Sequence, residues 1–210
     1  MSYIENIFVC LAAPLILATI CMRRIGKHII ISLIAGMSAC LLSSYVSTFL
    51  AAALGITLSM ASIEISPLVE EIMKLFPVIF YLLVFEPDVH DVTDACMMTA
   101  IGFATFENVC FLMQNGASNL LYLLIRGFGT GAMHVVCAGF IAVGLFRLWN
   151  RDWLRTTGTI ALLALSMTYH GVYNILVSQQ GKVAMIGYFI PVITVALYLL
   201  FGRKLYRQET

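Results

Sequence analysis

The chain has 210 residues, of which 61% are hydrophobic and 11% are charged, and its net charge is +1. Soluble domains carry about 25% charged residues, so this composition excludes an ordinary soluble domain. The near-neutral charge gives no basis for a nucleic-acid partner. The composition predicts an all-α, polytopic transmembrane helix bundle that forms a single membrane domain, residues 1–210.

Seven apolar segments follow one another along the chain, each near the length of about 20 residues that crosses a bilayer. They are residues 4–20, 29–54, 63–85, 95–113, 120–146, 157–177 and 183–201. We expect six to eight spans, because residues 55–66 also suit an additional helix or a re-entrant segment. The N-terminus lacks the basic region of a secretory signal, so the first segment is predicted to be a retained span.

Basic residues between these segments predict their orientation. With the N-terminus outside and the C-terminus inside, nine basic residues of the loops and tail lie on the inner side, and only Lys182 lies on the outer side. Cytoplasmic loops carry such an excess of lysine and arginine. In this orientation the acidic segment 86–94 and the basic segment 147–155 are both inner loops.

Ionisable residues inside a membrane cost at least about 2.5–3.5 kcal/mol each at a helix centre and mark functional sites. Here they concentrate in four consecutive spans, the third to the sixth. The polar residues are Glu70, Glu71 and Lys74, then Glu107 and Asn108, then Arg126 and His134, then His170 and Asn174. At about 1.5 Å per residue, three of the four spans place their polar residues about 10 Å below the outer surface, whereas His134 lies about 20 Å deep. We therefore expect one shared polar site in the outer half of the membrane.

Spacing within the third span predicts which of its charges pair. Glu70 and Lys74 are four residues apart and share a helix face, so they are expected to neutralise one another. Glu71 is rotated by about 100° and has no partner in its own segment. Ser66 would cap this helix and Pro67 would start it, or Pro67 would kink a longer helix.

The residue types suit two kinds of hydrolytic chemistry. Glu107, His134 and His170 form a Glu/His₂ set, which suits zinc with an open fourth position. Glu70 or Glu71 would then be the base that activates water. Without a metal, a desolvated glutamate would activate water while a histidine polarises the carbonyl group.

The remaining polar residues have catalytic and structural interpretations. Asn174 shares a helix face with His170, so one would transfer a proton while the other orients a carbonyl oxygen. Asn108 and Asn174 also suit hydrogen bonds between helices. Arg126 would lie at the membrane interface or pair with one of the glutamates.

Taken in order, these motifs resemble the PrsW family of intramembrane proteases, part of a superfamily with the CAAX-prenyl endoproteases and the Abi-type membrane proteases. The resemblance covers about residues 66–175. Its motifs are Glu70-Glu71-x-x-Lys74, Phe103-x-x-x-Glu107-Asn108, a lone His134 and His170-x-x-x-Asn174. The resemblance implies an endopeptidase in the plasma membrane of a bacterium or archaeon. Its substrate would be a membrane-anchored protein, such as an anti-sigma factor, cut near the outer membrane boundary.

The resemblance also implies residue roles within a catalytic core of about residues 63–177. Catalytic roles fall to Glu70, Glu71, Glu107, His134, His170 and Asn174, with support from Lys74, Asn108 and Arg126. Glu107, His134 and His170 would be metal ligands or would stabilise the transition state. The superfamily is described both as metal-dependent and as glutamate-based, so zinc and a metal-free mechanism both stay open. CAAX-type relatives carry a histidine at the position of Glu107, which argues against prenyl-protein specificity here.

Two other classes of function stay open at this stage. A proton- or cation-coupled transporter would also use intramembrane glutamates and histidines, although no inverted repeat is visible. A non-catalytic membrane scaffold is the third alternative, because the superfamily also includes a scaffold subunit of gamma-secretase.

Overall fold

The computed structural model describes residues 27–116, 118–148 and 152–202, together with Ala13 and Leu17. Every regular element in this part of the chain is a helix, which confirms the predicted all-α class. The helices are α1 (Lys27–Leu54), α2 (Leu58–Glu64), α3 (Ser66–Phe85), α4 (Val89–Asn115), α5 (Leu120–Leu148), α6 (Asp152–Val177) and α7 (Lys182–Leu197), followed by a π-helical turn, Tyr198–Gly202. The predicted first span and the basic C-terminal tail lie outside the described residues, apart from Ala13 and Leu17.

Five described helices are long and apolar enough to cross a membrane. They correspond to α1, α4, α5, α6 and α7. Helix α3 is also long enough, with 20 residues, but its three charged side chains, Glu70, Glu71 and Lys74, make it less apolar than these five helices. Its charge, rather than its length, therefore sets α3 apart from its neighbours. The count of seven spans and their orientation stay predictions.

Two segments that the sequence predicts as loops are partly helical. The acidic segment 86–94 contains only a short connection, because the Asp88 side chain accepts a hydrogen bond from the Asp91 amide at 3.1 Å and caps α4. The basic segment 147–155 likewise overlaps two helices, and α6 begins at Asp152, whose negative charge suits a helix N-terminus. Both loop predictions are therefore wrong in length, because each loop is shorter than the sequence predicts.

The additional helix considered for residues 55–66 is present as α2. The Thr57 hydroxyl caps it by accepting a hydrogen bond from the Met60 amide at 3.2 Å. Helix α3 begins directly afterwards, with Pro67 in its first turn as predicted. The cap position of α3 is Ile65, which makes no side-chain capping bond, so the prediction that Ser66 is the cap is wrong.

Helices α3, α4, α5 and α6 enclose the interior of the bundle. Helix α4 packs against α3 and α5, and α6 packs against both α5 and α3, so the four helices form a closed ring. Apolar side chains fill the ring on the cytoplasmic side of the predicted orientation, for example Val78, Cys96 and Ile141. Polar residues from all four helices are hydrogen-bonded to one another inside this ring: Glu71, Lys74, Glu107, His134 and His170.

Helices α1 and α4 approach closely at two glycines. A Cβ atom at Gly36 would collide with the carbonyl oxygen of Thr99, and a Cβ atom at Gly102 would collide with that of Leu33. Small residues allow this backbone-to-backbone packing, which is a common way for membrane helices to associate. The contact holds α4, which carries Phe103 and Glu107, against α1, which lies outside the ring of four helices.

Candidate active site

The structure brings the predicted polar residues of α3, α4, α5 and α6 into one buried cluster. Glu71 and Lys74 of α3 are 3% and 7% exposed, and His134 and His170 are 0% and 2% exposed. His134 lies at the level of the other residues although its distance from Leu120 predicts a deeper position. Because α5 has 29 residues, more than the roughly 20 a span needs, its first residue does not fix the depth of the others.

Lys74 pairs with Glu71 rather than with Glu70. Its ammonium group donates a hydrogen bond to Glu71 Oε1 at 2.6 Å. The predicted Glu70–Lys74 pair is therefore wrong, and so is the prediction that Glu71 lacks a partner in its own segment. Spacings of three and four residues both place side chains together on a helix. Here two histidines from α5 and α6 join the Glu71–Lys74 pair and favour the shorter spacing.

The Glu71–Lys74 pair fixes the protonation pattern of both histidines. Lys74 Nζ lies 2.8 Å from His134 Nδ1, and an ammonium group only donates, so this nitrogen accepts and Nε2 carries the proton. Glu71 Oε1 lies 2.7 Å from His170 Nδ1, and a carboxylate only accepts, so this nitrogen carries the proton. In their neutral forms the two rings therefore hold opposite tautomers, and the lone pair of a neutral His170 lies on Nε2.

One carboxylate oxygen of Glu70 has no hydrogen-bond partner among the described residues. Glu70 Oε2 is buried, makes no hydrogen bond, and lies 3.6 Å from the Nε2 atom of His170. A carboxylate oxygen and the bare nitrogen of a neutral imidazole are both acceptors, and in that state the arrangement calls for a cation or a proton-donating molecule between them. One ligand atom each of Glu70, His134 and His170 lies within 4.8 Å of the others. This donor set fits zinc, which binds two histidines and a carboxylate in catalytic sites.

Glu107 lies beside His134 rather than within this converging set. Its Oε2 atom accepts a hydrogen bond from His134 Nε2 at 2.7 Å, and its side chain is 30% exposed. Both ring nitrogens of His134 are thus engaged, one by Lys74 and one by Glu107. A metal ion could use His134 only if one of these two bonds were given up.

Arg126 joins α5 to a full turn of α4. Its guanidinium group donates to Asn108 Oδ1 through one nitrogen and to Glu107 Oε1 at 3.3 Å through another. The same group lies 3.7 Å from the ring centre of Phe111. Of the alternatives left open for Arg126, the structure therefore shows the pairing with a glutamate, Glu107.

Asn174 lies one turn beyond His170 but bonds away from the cluster. Its Nδ2 atom donates to the backbone carbonyl oxygen of Ser62 in α2 at 2.9 Å. The predicted interhelical hydrogen bond is present, whereas the predicted role in orienting a carbonyl group stays a prediction.

From the sequence, Phe103 was identified only as part of the motif that carries the resemblance, and Thr130 and Tyr173 were not singled out as part of the site. The Phe103 ring packs against His134 at 5.0 Å between centroids and lies 5.1 Å from Lys74 Nζ. Thr130 shares a hydrogen bond of 2.8 Å with Tyr173. The signal was present in the spacing, because Thr130 is four residues from both Arg126 and His134, and Tyr173 is three residues from His170.

Comparison with known proteins identifies the family of this chain. The model of the PrsW family intramembrane metalloproteases matches residues 17–201, nearly the whole chain. The match supports the protease interpretation over the transporter and scaffold alternatives. Searches of curated proteins and of solved structures give no match. On the family match and the buried Glu/His cluster, the chain belongs to the PrsW family of intramembrane metalloproteases.

Proposed function

We propose that this protease hydrolyses a peptide bond of a membrane-anchored protein in the outer half of a bacterial or archaeal plasma membrane. The observation that carries the proposal is the buried, unbonded Oε2 atom of Glu70, which converges with His134 and His170 between α3, α5 and α6. Leaving a buried carboxylate oxygen without a partner is costly, so such an atom is retained where it binds something.

We assign the ligand role for zinc to Glu70, His134 and His170. This differs from the set expected from the resemblance, in which Glu107 supplies the carboxylate. When bound, zinc supplies Lewis-acid polarisation of a carbonyl group and activation of water. Glu71 orients His170 by accepting from its Nδ1 atom, in the manner of the carboxylates that fix metal-binding histidines. Lys74 neutralises Glu71, so that this carboxylate stays paired in the bundle interior.

Glu107 is our candidate for the general base. Among the three glutamates of the site its side chain is the most exposed, at 30%, compared with 16% for Glu70 and 3% for Glu71. A carboxylate at the open side of the cluster is placed to take a proton from the attacking water while the water oxygen bonds to the scissile carbonyl carbon. The same proton then passes to the leaving amine as the C–N bond breaks, which restores the carboxylate.

The substrate class follows from where the site lies. Glu70 and Glu107 lie partly exposed within the membrane part of the bundle, near the outer ends of α3 and α4 in the predicted orientation. A substrate must therefore present its scissile bond at the outer membrane boundary, as a single-span membrane protein does. Release of an anchored regulator such as an anti-sigma factor, which the resemblance implies, is consistent with this position.

Terminal-peptide profiling of membranes tests the proposal. A strain that lacks the protein is complemented with the wild type, with Glu70→Gln, or with Glu64→Gln as a control at a glutamate outside the cluster. We expect new peptide N-termini near the outer boundary of a single-span protein in the wild type and the control, and their loss with Glu70→Gln. Identical termini in all three strains would show that Glu70 has no part in peptide hydrolysis.

A further inference from the structure

The contact between α4 and α5 contains a chain of polar groups that leads into the site. Arg126 extends from α5 to α4 and holds Asn108 and Glu107 together, and Glu107 in turn accepts from His134, two turns along α5. Residues 126, 130 and 134 are four apart, so they share one face of α5. This series of hydrogen-bonded side chains therefore starts on α5 at Arg126, passes through α4, and ends on α5 at His134.

Arg126 is poorly placed to serve only as a surface charge. Its side chain is 10% exposed, and its guanidinium group is enclosed by two hydrogen-bond acceptors and the Phe111 ring. A planar guanidinium group donates in two fixed directions, unlike an ammonium group. One direction is taken by Asn108, which is itself fully buried, so the other fixes where the Glu107 carboxylate lies.

Glu107 needs such an anchor because it is the only acidic residue of the site with a substantially exposed side chain among the described residues. An exposed carboxylate on a flexible side chain has several rotamers, and ordering it has an entropic cost. The Arg126 contact to Oε1 leaves Oε2 directed at His134 Nε2, 2.7 Å away. Lys74 holds the same ring from its other nitrogen, so the ring is fixed at both ends.

We propose that Arg126 is a positioning residue that orients His134 by anchoring Glu107. The proposal rests on the proposed function only for the roles of His134 and Glu107 in catalysis. The geometric part, a hydrogen bond from His134 Nε2 to Glu107 that depends on Arg126, can be tested without substrate and without metal.

The test is NMR of the metal-free protein in detergent micelles with ¹⁵N-labelled histidine. The chain has four histidines, so the ring signals can be assigned with one His→Gln variant each. The readout is the exchange rate of the His134 Nε2 proton with water. In Arg126→Gln we expect this rate to rise at least about tenfold, because hydrogen bonds to charged groups are among the strongest in proteins. The His170 Nδ1 proton, held by Glu71, should not change.

Four further variants keep the test decisive. Arg126→Lys retains the positive charge but lacks the planar guanidinium group that donates to two acceptors at once. The exchange rate of the His134 Nε2 proton should therefore lie between the rates in the wild type and in Arg126→Gln. Arg155→Gln, at an exposed arginine 3.8 Å from Asp152, should leave all four histidines unchanged. In Arg126→Gln/Glu107→Ala the rate should equal that of Glu107→Ala alone, because the two residues act in series.

Three outcomes would overturn the proposal. The first is an unchanged His134 proton in Arg126→Gln. The second is a simultaneous change at His134 and His170, which would show a general loosening of the bundle. The third is failure of both Arg126 variants to fold, which would make the arginine a structural residue only. A wild-type protein that shows the protected His134 proton but cleaves no membrane protein would count against the proposed function of the site and not against the Arg126–Glu107–His134 connection.

Discussion

His134 and His170 pack edge to face, with ring centroids 5.1 Å apart, and carry their protons on opposite nitrogens. One ion pair, Glu71–Lys74, contacts both rings and sets this difference. The tautomers of two residues on separate helices therefore depend on a pair of charges on a third.

Lys74→Met should strongly destabilise the protein. The substitution leaves the buried Glu71 carboxylate without its cationic partner, although the His170 hydrogen bond remains. Breaking one side of a buried ion pair costs about 3–5 kcal/mol. We expect the apparent unfolding temperature in detergent to fall by roughly 10 °C. The double variant Glu71→Gln/Lys74→Met should recover part of this loss, since it removes both charges.

The matched control for Lys74→Met is Arg155→Met. Arg155 forms an ion pair with Asp152 at the same three-residue spacing, but the two side chains are 48% and 96% exposed. Exposed pairs contribute about 0–1 kcal/mol, so little change is expected. Equal effects of the two substitutions would contradict a structural role for the buried pair.

Asn174→Ala should release α2 from α6. The side-chain amide of Asn174 donates to the Ser62 carbonyl, a contact between residues far apart in the sequence. We expect faster hydrogen–deuterium exchange in α2 (Leu58–Glu64) and unchanged exchange around His134. Asn115→Ala is the control, because its amide donates within its own helix, to the Phe111 carbonyl oxygen.

The same experiment separates two roles for Asn174. If Asn174 instead stabilises the reaction's oxyanion, Asn174→Ala would lower turnover by about 10²–10³-fold while the exchange of α2 stayed as in the wild type. That result would contradict the structural role inferred from the Ser62 contact.

Gly102→Ala should weaken the packing of α1 against α4. The added Cβ atom would meet the Leu33 carbonyl oxygen, a backbone atom that cannot move alone. Gly171→Ala makes the same chemical change where, among the described residues, the new group meets nothing within 4 Å apart from its chain neighbours and its own helix backbone. We expect a lower unfolding temperature for Gly102→Ala and an equal or higher one for Gly171→Ala, since alanine favours the helix. Equal loss in both variants would rule out the close contact as the cause.

Cysteine labelling of intact cells should establish the predicted orientation. In a background with the native cysteines replaced, an impermeant maleimide should label Gln180→Cys, in the connection before α7, from outside. It should label His90→Cys, in the first turn of α4, only after the cells are opened. The opposite pattern would place the site in the inner half of the membrane and contradict an outer cleavage position.

The sequence was sufficient to predict that four helices share one polar site. Charged residues in apolar segments are rare enough that their concentration in four consecutive spans carries information by itself. Glu107, His134 and His170 were identified in this way, and their mutual contacts followed once the helices packed.

The pairing inside the site depended on tertiary contacts that spacing does not contain. Lys74 can reach either Glu70 or Glu71 along its own helix, and the choice of Glu71 reflects the presence of His134 and His170 from other helices. The partner of Asn174 could not be predicted for the same reason. Ser62 lies in α2, a short helix that was one of two structures considered for residues 55–66. Segment 86–94 was predicted as a loop from its charges, whereas the Asp88 cap begins a helix there.

The zinc content of the purified protein tests the central claim most directly. Wild type, Glu70→Gln and Glu107→Gln are purified under the same conditions, and metal is measured together with a check of folding. The account predicts near-stoichiometric zinc in the wild type and in Glu107→Gln, and its loss in Glu70→Gln, because Glu70 supplies the buried unbonded oxygen beside His170. Zinc that is retained in Glu70→Gln but lost in Glu107→Gln, or a folded wild type that binds none, would contradict the assignment of Glu70, His134 and His170 as the metal site.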